Sequence, residues 1–235
     1  MTLNRSYISI ILIIIFFSCN IKSKQKDIKT KLHQNSIKLL LDFPYDTLVN
    51  EIIQHTAYSL AYSEEHEQAS WIQYKLYKTN LELPKVERKD KFKEDMKIST
   101  GSASLNDYKR SGFDRGHLAP CADFTYSTIT MLESFFMSNM SPQVPSFNRG
   151  KWKVLESRVR EYAFKYDSLL IITGPVLYSI KEKETIGNNN VTIPEYYYKI
   201  IIELKDNNSV SFLMPNIKIN DAIDSYIISI DSIEA

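Results

Sequence analysis

Apolar and polar positions along this chain repeat at two periods, and each period predicts an element. From Trp71 the text W-I-Q-Y-K-L-Y alternates apolar with polar, as a half-buried strand does. Lys151 to Tyr166 places Trp152, Leu155, Val159, Tyr162, Ala163 and Tyr166 on one helical face, which predicts an amphipathic helix. Thr128 to Met137 reads as a shorter helix. Beyond the long helix come strand-like runs: Leu169 to Thr173, stopping at Gly174-Pro175; Tyr196 to Leu204; Val210 to Met214 after the Asn207-Asn208 turn; and Tyr226 to Ile230. Strands and helices do not alternate as they would in a parallel βαβ fold. The order predicts an α+β class, with a mostly antiparallel central sheet flanked by helices.

The N-terminal pattern is of another kind. Arg5 precedes an apolar run from Ile8 to Phe17, broken only by Ser9, and Ser18 and Cys19 follow. A basic start, a short apolar run and a small residue before the cut describe an export signal. The run is too short to span a bilayer comfortably, which takes about 20 apolar residues. Cys19 directly after Ser18 resembles a bacterial lipoprotein box, with Phe16 where such boxes usually carry Leu. The expected organisation is a signal peptide over 1–18, a lipidated Cys19 with a polar, Lys-rich tether over 19–44, and one globular domain over 45–235. The expected location is the cell envelope, with the membrane held through Cys19. An ordinary cleaved signal and secretion is the alternative.

Composition sharpens this only in part. The chain has 235 residues, 43% hydrophobic and 24% charged, which suits one domain with a real core and excludes a chain disordered throughout. The formal net charge is +1, so bulk electrostatics does not announce a polyanion partner, and a nucleic-acid site must come from local clustering. One such cluster is Lys85, Arg88, Lys89, Lys91, Lys93 and Lys97, interleaved with acids, whose ordinary reading is a solvated loop. If Cys19 is lipidated or removed, Cys121 has no partner and no disulfide frames the fold. Cys121 then reads as a small buried residue.

Two polar blocks carry the candidate chemistry. The first is S-G-F-D-R-G-H-L-A-P, Ser111 to Pro120; the second is S-N-M-S-P-Q, Ser138 to Gln143, followed by F-N-R-G-K-W from Phe147 to Trp152 and then Leu155-Glu156. Hydrolysing a phosphodiester needs a group to take a proton from water, and a neutral His does this near pH 7. It also needs positive charge on the phosphoryl and leaving oxygens, which a hard cation and an Arg fork supply. Arg115 and His117 are two residues apart, so an extended backbone projects both to one side. Gly116 between them would leave room for close substrate approach. Asn148, just before the long helix or in its first turn, offers an amide oxygen suited to Mg²⁺. Glu156 lies about two helical turns on and would point to a similar side, where it could hold metal-bound water. Taken singly, each has an ordinary structural reading: a packed His, an Asn cap, an exposed Glu.

The ordered series decides between these readings. It runs from H-T-A-Y-S-L-A-Y-S-E-E-H (His55 to His66) and Trp71 through Arg88, Phe92, Asp95, Ala103-Ser104 and Asp107-Tyr108. It continues through both blocks to T-G-P at Thr173, T-I-P-E-Y-Y-Y-K from Thr192 to Lys199, Pro215-Asn216 and Ile233-Glu234. In this series the chain resembles the DNA/RNA non-specific endonuclease family from about residue 45 to the C-terminus. The resemblance implies a ββα-metal (His-Me finger) fold and cleavage of DNA and RNA to 5′-phosphates. The implied cofactor is Mg²⁺, with Mn²⁺ able to substitute. By resemblance His117 is the general base, Arg115 a phosphate contact, Asn148 the one direct protein ligand of the metal, and Glu156 the carboxylate holding a metal-bound water. Asn139 and Gln143 would line the substrate site, and Arg88 would be a second arginine near the scissile phosphate. Family members run on past the Ile-Glu pair into a further segment packed on the core, which bears on stability more than on chemistry. The reading from another class is a membrane-tethered nucleic-acid-binding module without catalysis; small phosphodiesters are the alternative substrates.

Overall fold

The computed structural model describes residues 51–177 and 183–234. The expected signal peptide, Cys19 and the tether lie outside these residues. The strands are β1 (Glu51–Gln54), β2 (Tyr58–Ser63), β3 (Gln68–Tyr77), β4 (Asp114–His117), β5 (Met140–Gln143), β6 (Ser168–Pro175), β7 (Thr185–Ile186), β8 (Val191–Thr192), β9 (Tyr196–Glu203), β10 (Ser209–Pro215) and β11 (Ile227–Ile228). Two helices frame the site and its core, α1 (Thr128–Glu133) and α2 (Lys153–Tyr166).

Seven strands form one sheet in the order β1-β2-β3-β6-β9-β10-β11, and every neighbouring pair is antiparallel. The expected α+β class with a mostly antiparallel sheet is what the chain adopts. The alternation from Trp71 to Tyr77 is realised in β3, where Ile72, Tyr74 and Leu76 are buried and Lys75 and Tyr77 face out. Helix α2 lays Leu155, Val159 and Ala163 into the same core as Tyr74, Leu76, Leu169, Ile171 and Ile201. It ends where Asp167 turns to φ 64°, a left-handed conformation that Asp tolerates better than most residues.

Several boundaries differ from expectation, each for a local reason. Strand β6 runs through Gly174 and Pro175, because Pro175 sits at the strand end and the ladder resumes with Val176 N–H donating to Tyr196 O. Helix α1 stops at Glu133, where the Ser134 hydroxyl donates to Met131 O at 2.7 Å and competes with the helical pattern. Strand β11 keeps only two residues, since Ser229 accepts the Ser232 N–H and opens a final helical turn over Asp231–Glu234. Cys121 is buried and free, as expected. Among the described residues no helix is long and apolar enough to cross a membrane.

Candidate active site

Strands β4 and β5 stand apart from the large sheet as a two-stranded antiparallel pair, Asp114 opposite Gln143 and His117 opposite Met140. The D-R-G-H block is therefore extended, and alternation puts Arg115 and His117 on one side of it. Gly116 does not open room for substrate. A Cβ at that position would overlap the Gln143 side-chain amide, so the space is already filled from within. Gly116→Ala should therefore cost about 1–3 kcal/mol, the usual penalty for overpacking, read as a lower denaturation midpoint in urea.

On the Arg115 side two phenyl rings form a platform. Phe92 and Phe135 meet edge to face at 5.0 Å. The Arg115 guanidinium lies 4.3 Å from the Phe92 centroid and that of Arg88 5.3 Å from the Phe135 centroid. His117 packs against both rings, at 5.9 Å from Phe92 and 5.0 Å from Phe135. The fold thus brings Arg88 from a separate segment to Arg115 and His117 of β4 in one cluster. Arg88 also holds Asp90 through Nε at 2.6 Å. His117 is half-buried, but its Nε2 is shut off from solvent and has no hydrogen-bond partner. Burial, then the positive charge of Arg88 and Arg115, pushes the imidazole down to about 3, so the ring is neutral at working pH.

The opening of α2 is tied to both ends of β4. At one end, Asn148 Nδ2 donates to Asp114 Oδ2 at 2.9 Å, and Arg149 grips the same carboxylate at 2.8 and 2.6 Å. Burial alone would raise the Asp114 carboxyl, but the hydrogen bonds from Arg149 and Asn148 bring it below the usual range. At the other end, Trp152 Nε1 donates to His117 O at 3.4 Å. Fixing Nδ2 on Asp114 leaves Asn148 Oδ1 as the atom available to a cation. The segment Asn148–Trp152 is a π-helical turn with Gly150 off the helical path, so the eight-residue spacing from Asn148 to Glu156 does not follow one regular helix. Burial pushes the Glu156 carboxyl up, and the ammonium of Lys199 is the largest charge opposing that rise.

Two expected substrate contacts are placed elsewhere. Asn139 is fully buried and its amide is spent on the backbone: Oδ1 accepts Ala119 N–H at 2.9 Å, and Nδ2 donates to Ala119 O and Ser134 O at 2.9 and 2.7 Å. It braces the loop after β4. Gln143 is also fully buried, its amide packed under Gly116 without a protein partner. Gln143 turns into the fold because β5 is buried along its whole length, and Asn139 lies in the buried helical turn just before that strand.

Sequence reasoning missed three contributors. Phe135 was unmarked among apolar neighbours. Asp114 was read only as a letter of its motif. Lys199, a single cation inside the Tyr/Ile-rich run of β9, was a detectable signal, since a buried charge is costly and rarely idle.

The donor set fits a hard cation that keeps its waters. Among the described residues no group of three or more His, Cys, Asp or Glu could enclose a metal, which argues against a zinc-type cage. One oriented amide oxygen, with a carboxylate deeper in the fold, suits Mg²⁺, which takes few protein ligands.

Known proteins share this fold. The family model described as DNA/RNA non-specific endonuclease matches residues 40–235. Endonuclease G, mitochondrial, from Homo sapiens is 31% identical over 192 residues, covering 76% of this chain but only 65% of its own length. Nuclease C1 from Cunninghamella echinulata var. echinulata is 33% identical over 191 residues, 75% of this chain and 76% of that protein. A solved structure of the EndoG/EndoGI complex superposes with a TM-score of 0.74 at 30% identity, over 84% of this chain and 87% of that one. The hairpin bearing Arg115 and His117, locked to the turn bearing Asn148, is thus set in a fold that others share, and the chain belongs to the DNA/RNA non-specific endonuclease family.

Proposed function

We propose that this chain is a Mg²⁺-dependent endonuclease that hydrolyses phosphodiester bonds of DNA and RNA without sequence specificity, leaving 5′-phosphates. The observation that carries the reading is the His117 ring gathered with two guanidiniums on one aromatic platform, with Asn148 locked to the same strand. The His117 imidazole takes a proton from the attacking water and becomes imidazolium. The water oxygen bonds to phosphorus, the P–O3′ bond breaks, and the O3′ oxygen leaves and takes up a proton. Arg115 and Arg88 face the phosphoryl oxygens and offset their charge. Asn148 Oδ1 would hold the cation; when bound, it supplies Lewis-acid stabilisation of the leaving oxygen. Glu156 would accept hydrogen bonds from water held around that cation.

A plasmid-nicking and RNA-cleavage assay, with Mg²⁺ and with chelator, tests this. Cleavage of both polymers that stops with chelator is expected. Retention of nucleic acid without cleavage would instead establish the catalytically inactive binding module. Contacts aimed at phosphate position a polymer without reading it. Binding should therefore weaken with salt, with a slope of about −0.9 per phosphate contact on B-DNA. A strict preference for one sugar or one short sequence would contradict this reading.

We also infer export and lipid attachment at Cys19, from the apolar run Ile8 to Phe17 and the polar segment after it. Intact-mass analysis of the native protein should show cleavage before Cys19 plus acyl chains. Cleavage at another position removes the lipoprotein reading and leaves the nuclease reading standing.

A further inference from the structure

Behind the His117 side chain lies a charged cluster that the proposed proton transfer and phosphate contacts do not use. Lys199 is 1% exposed, in the middle of β9 opposite Thr173 of β6. Its Nζ donates to Thr173 Oγ1 at 3.2 Å and to Leu118 O at 3.4 Å, and it lies 4.7 Å from the centroid of the Trp152 ring. Leu118 follows His117 directly, and Trp152 is the residue whose indole N–H donates to His117 O. One ammonium therefore touches both supports of the His117 backbone.

The charges around it are unevenly matched. Asp123, buried in the same region, has its own partners, Arg160 at 2.9 Å and the Tyr74 hydroxyl at 2.8 Å. The acid that acts most strongly on Lys199 is Glu156, and Lys199 is in turn the cation that acts most strongly on Glu156. Among the described residues no carboxylate lies within 4.0 Å of Lys199 Nζ, so no close ion pair offsets the cost of taking this ammonium out of water. What the ammonium adds is a fixed charge and two hydrogen bonds, one of them to the residue that follows His117.

We propose that Lys199 is a positioning residue, which braces the His117–Leu118 backbone and the Trp152 ring from beneath and supplies the positive charge that Glu156 faces. It rests on the roles proposed for His117 and Glu156. It goes beyond them by adding the residue that couples the two.

The test compares Lys199→Met, Lys199→Arg, Glu156→Gln and the Met/Gln double variant in the full chain. The readouts are melting temperature, kcat and KM on a defined oligonucleotide, and the NMR resonances of the His117 ring. Lys199→Met should lower the melting temperature, since it leaves the Glu156 carboxyl without its main opposing charge, and the Met/Gln double variant should recover part of that loss. Its kcat should fall about 10- to 100-fold, the usual effect of removing a supporting group, with KM nearly unchanged. The His117 resonances should shift, and Glu156→Gln should cost less in the Met background than alone. Lys199→Arg, which keeps the charge, should retain more activity than Met despite poorer packing. Unchanged kcat with unmoved His117 resonances would overturn the proposal. So would additive effects, a Met variant more active than the Arg one, or a Met variant that fails to fold while Arg folds, since the ammonium would then serve the fold alone. A wild-type chain without nuclease activity would refute the functional reading instead, and the His117 resonances would still report on the brace.

Discussion

His117→Ala should lower kcat by about 10² to 10⁴, the usual worth of a positioned base, or more if base and metal act as one unit. The loss should fall on kcat, since Arg88, Arg115 and their phenyl platform remain to bind phosphate. The Mg²⁺ dependence should stay nearly that of the wild type, because the Asp114–Asn148 tether does not involve the imidazole. Rescue of the variant by raised Mg²⁺ would show that His117 is a metal ligand and overturn its assignment as base. The pH profile adds a second check. The base works only when neutral, so activity is present above the pKa of the folded protein and lost as pH falls through it. Sequence alone places that loss between about 6 and 7, the unperturbed imidazole range. Burial and the two nearby guanidiniums move it down, to about 3 in the free enzyme. The acid limb of kcat/KM should therefore lie well below the ordinary range. A clear limb at pH 6 to 7 would mean that the ring is more solvated than the structure has it.

Asn148→Ala should behave in the opposite manner. It removes the amide oxygen left available once Nδ2 is fixed on Asp114, and it removes one of the two residues that grip Asp114. The Mg²⁺ concentration for half-maximal rate should rise by about tenfold or more, with activity vanishing if no other group can hold the ion. Melting temperature should change little, because Arg149 keeps both oxygens of Asp114. Direct binding of Mn²⁺, followed by electron paramagnetic resonance, should weaken in parallel. An Asn148→Ala enzyme with unaltered metal dependence would move the cation site to another residue.

In the large sheet β3 was legible from its period-two alternation, and β6, β9 and β10 from apolar runs, whereas β1 and β2 carry no run that marks them. Helix α2 was legible from Leu155, Val159 and Ala163 on one face. The β4–β5 pair was not legible from periodicity, since Asp114 to His117 and Met140 to Gln143 carry no apolar alternation. Only the chemistry of the block suggested that it is extended. Residue type singled out Arg88, Arg115 and His117, which the fold brings together, but it cannot say which way an amide turns. Asn139 and Gln143 therefore read as site-lining from sequence, and packing put them inside. Lys199 carried a signal, a lone cation in an apolar run, but a lysine in a strand normally faces water, and only its burial in β9 shows that this one points into the core.

The phenyl platform has a consequence for how substrate arrives. Arg115 rests on the face of Phe92, and among the described residues no carboxylate pairs with it. An aromatic face holds a guanidinium in place without occupying its N–H donors. An incoming phosphate at Arg115 therefore meets a fork whose donors are still available, and no internal ion pair has to open first. Under the proposed function, capture at that position would be limited by encounter, and specificity for a sequence would be given up, because the fork would recognise only what every nucleotide shares.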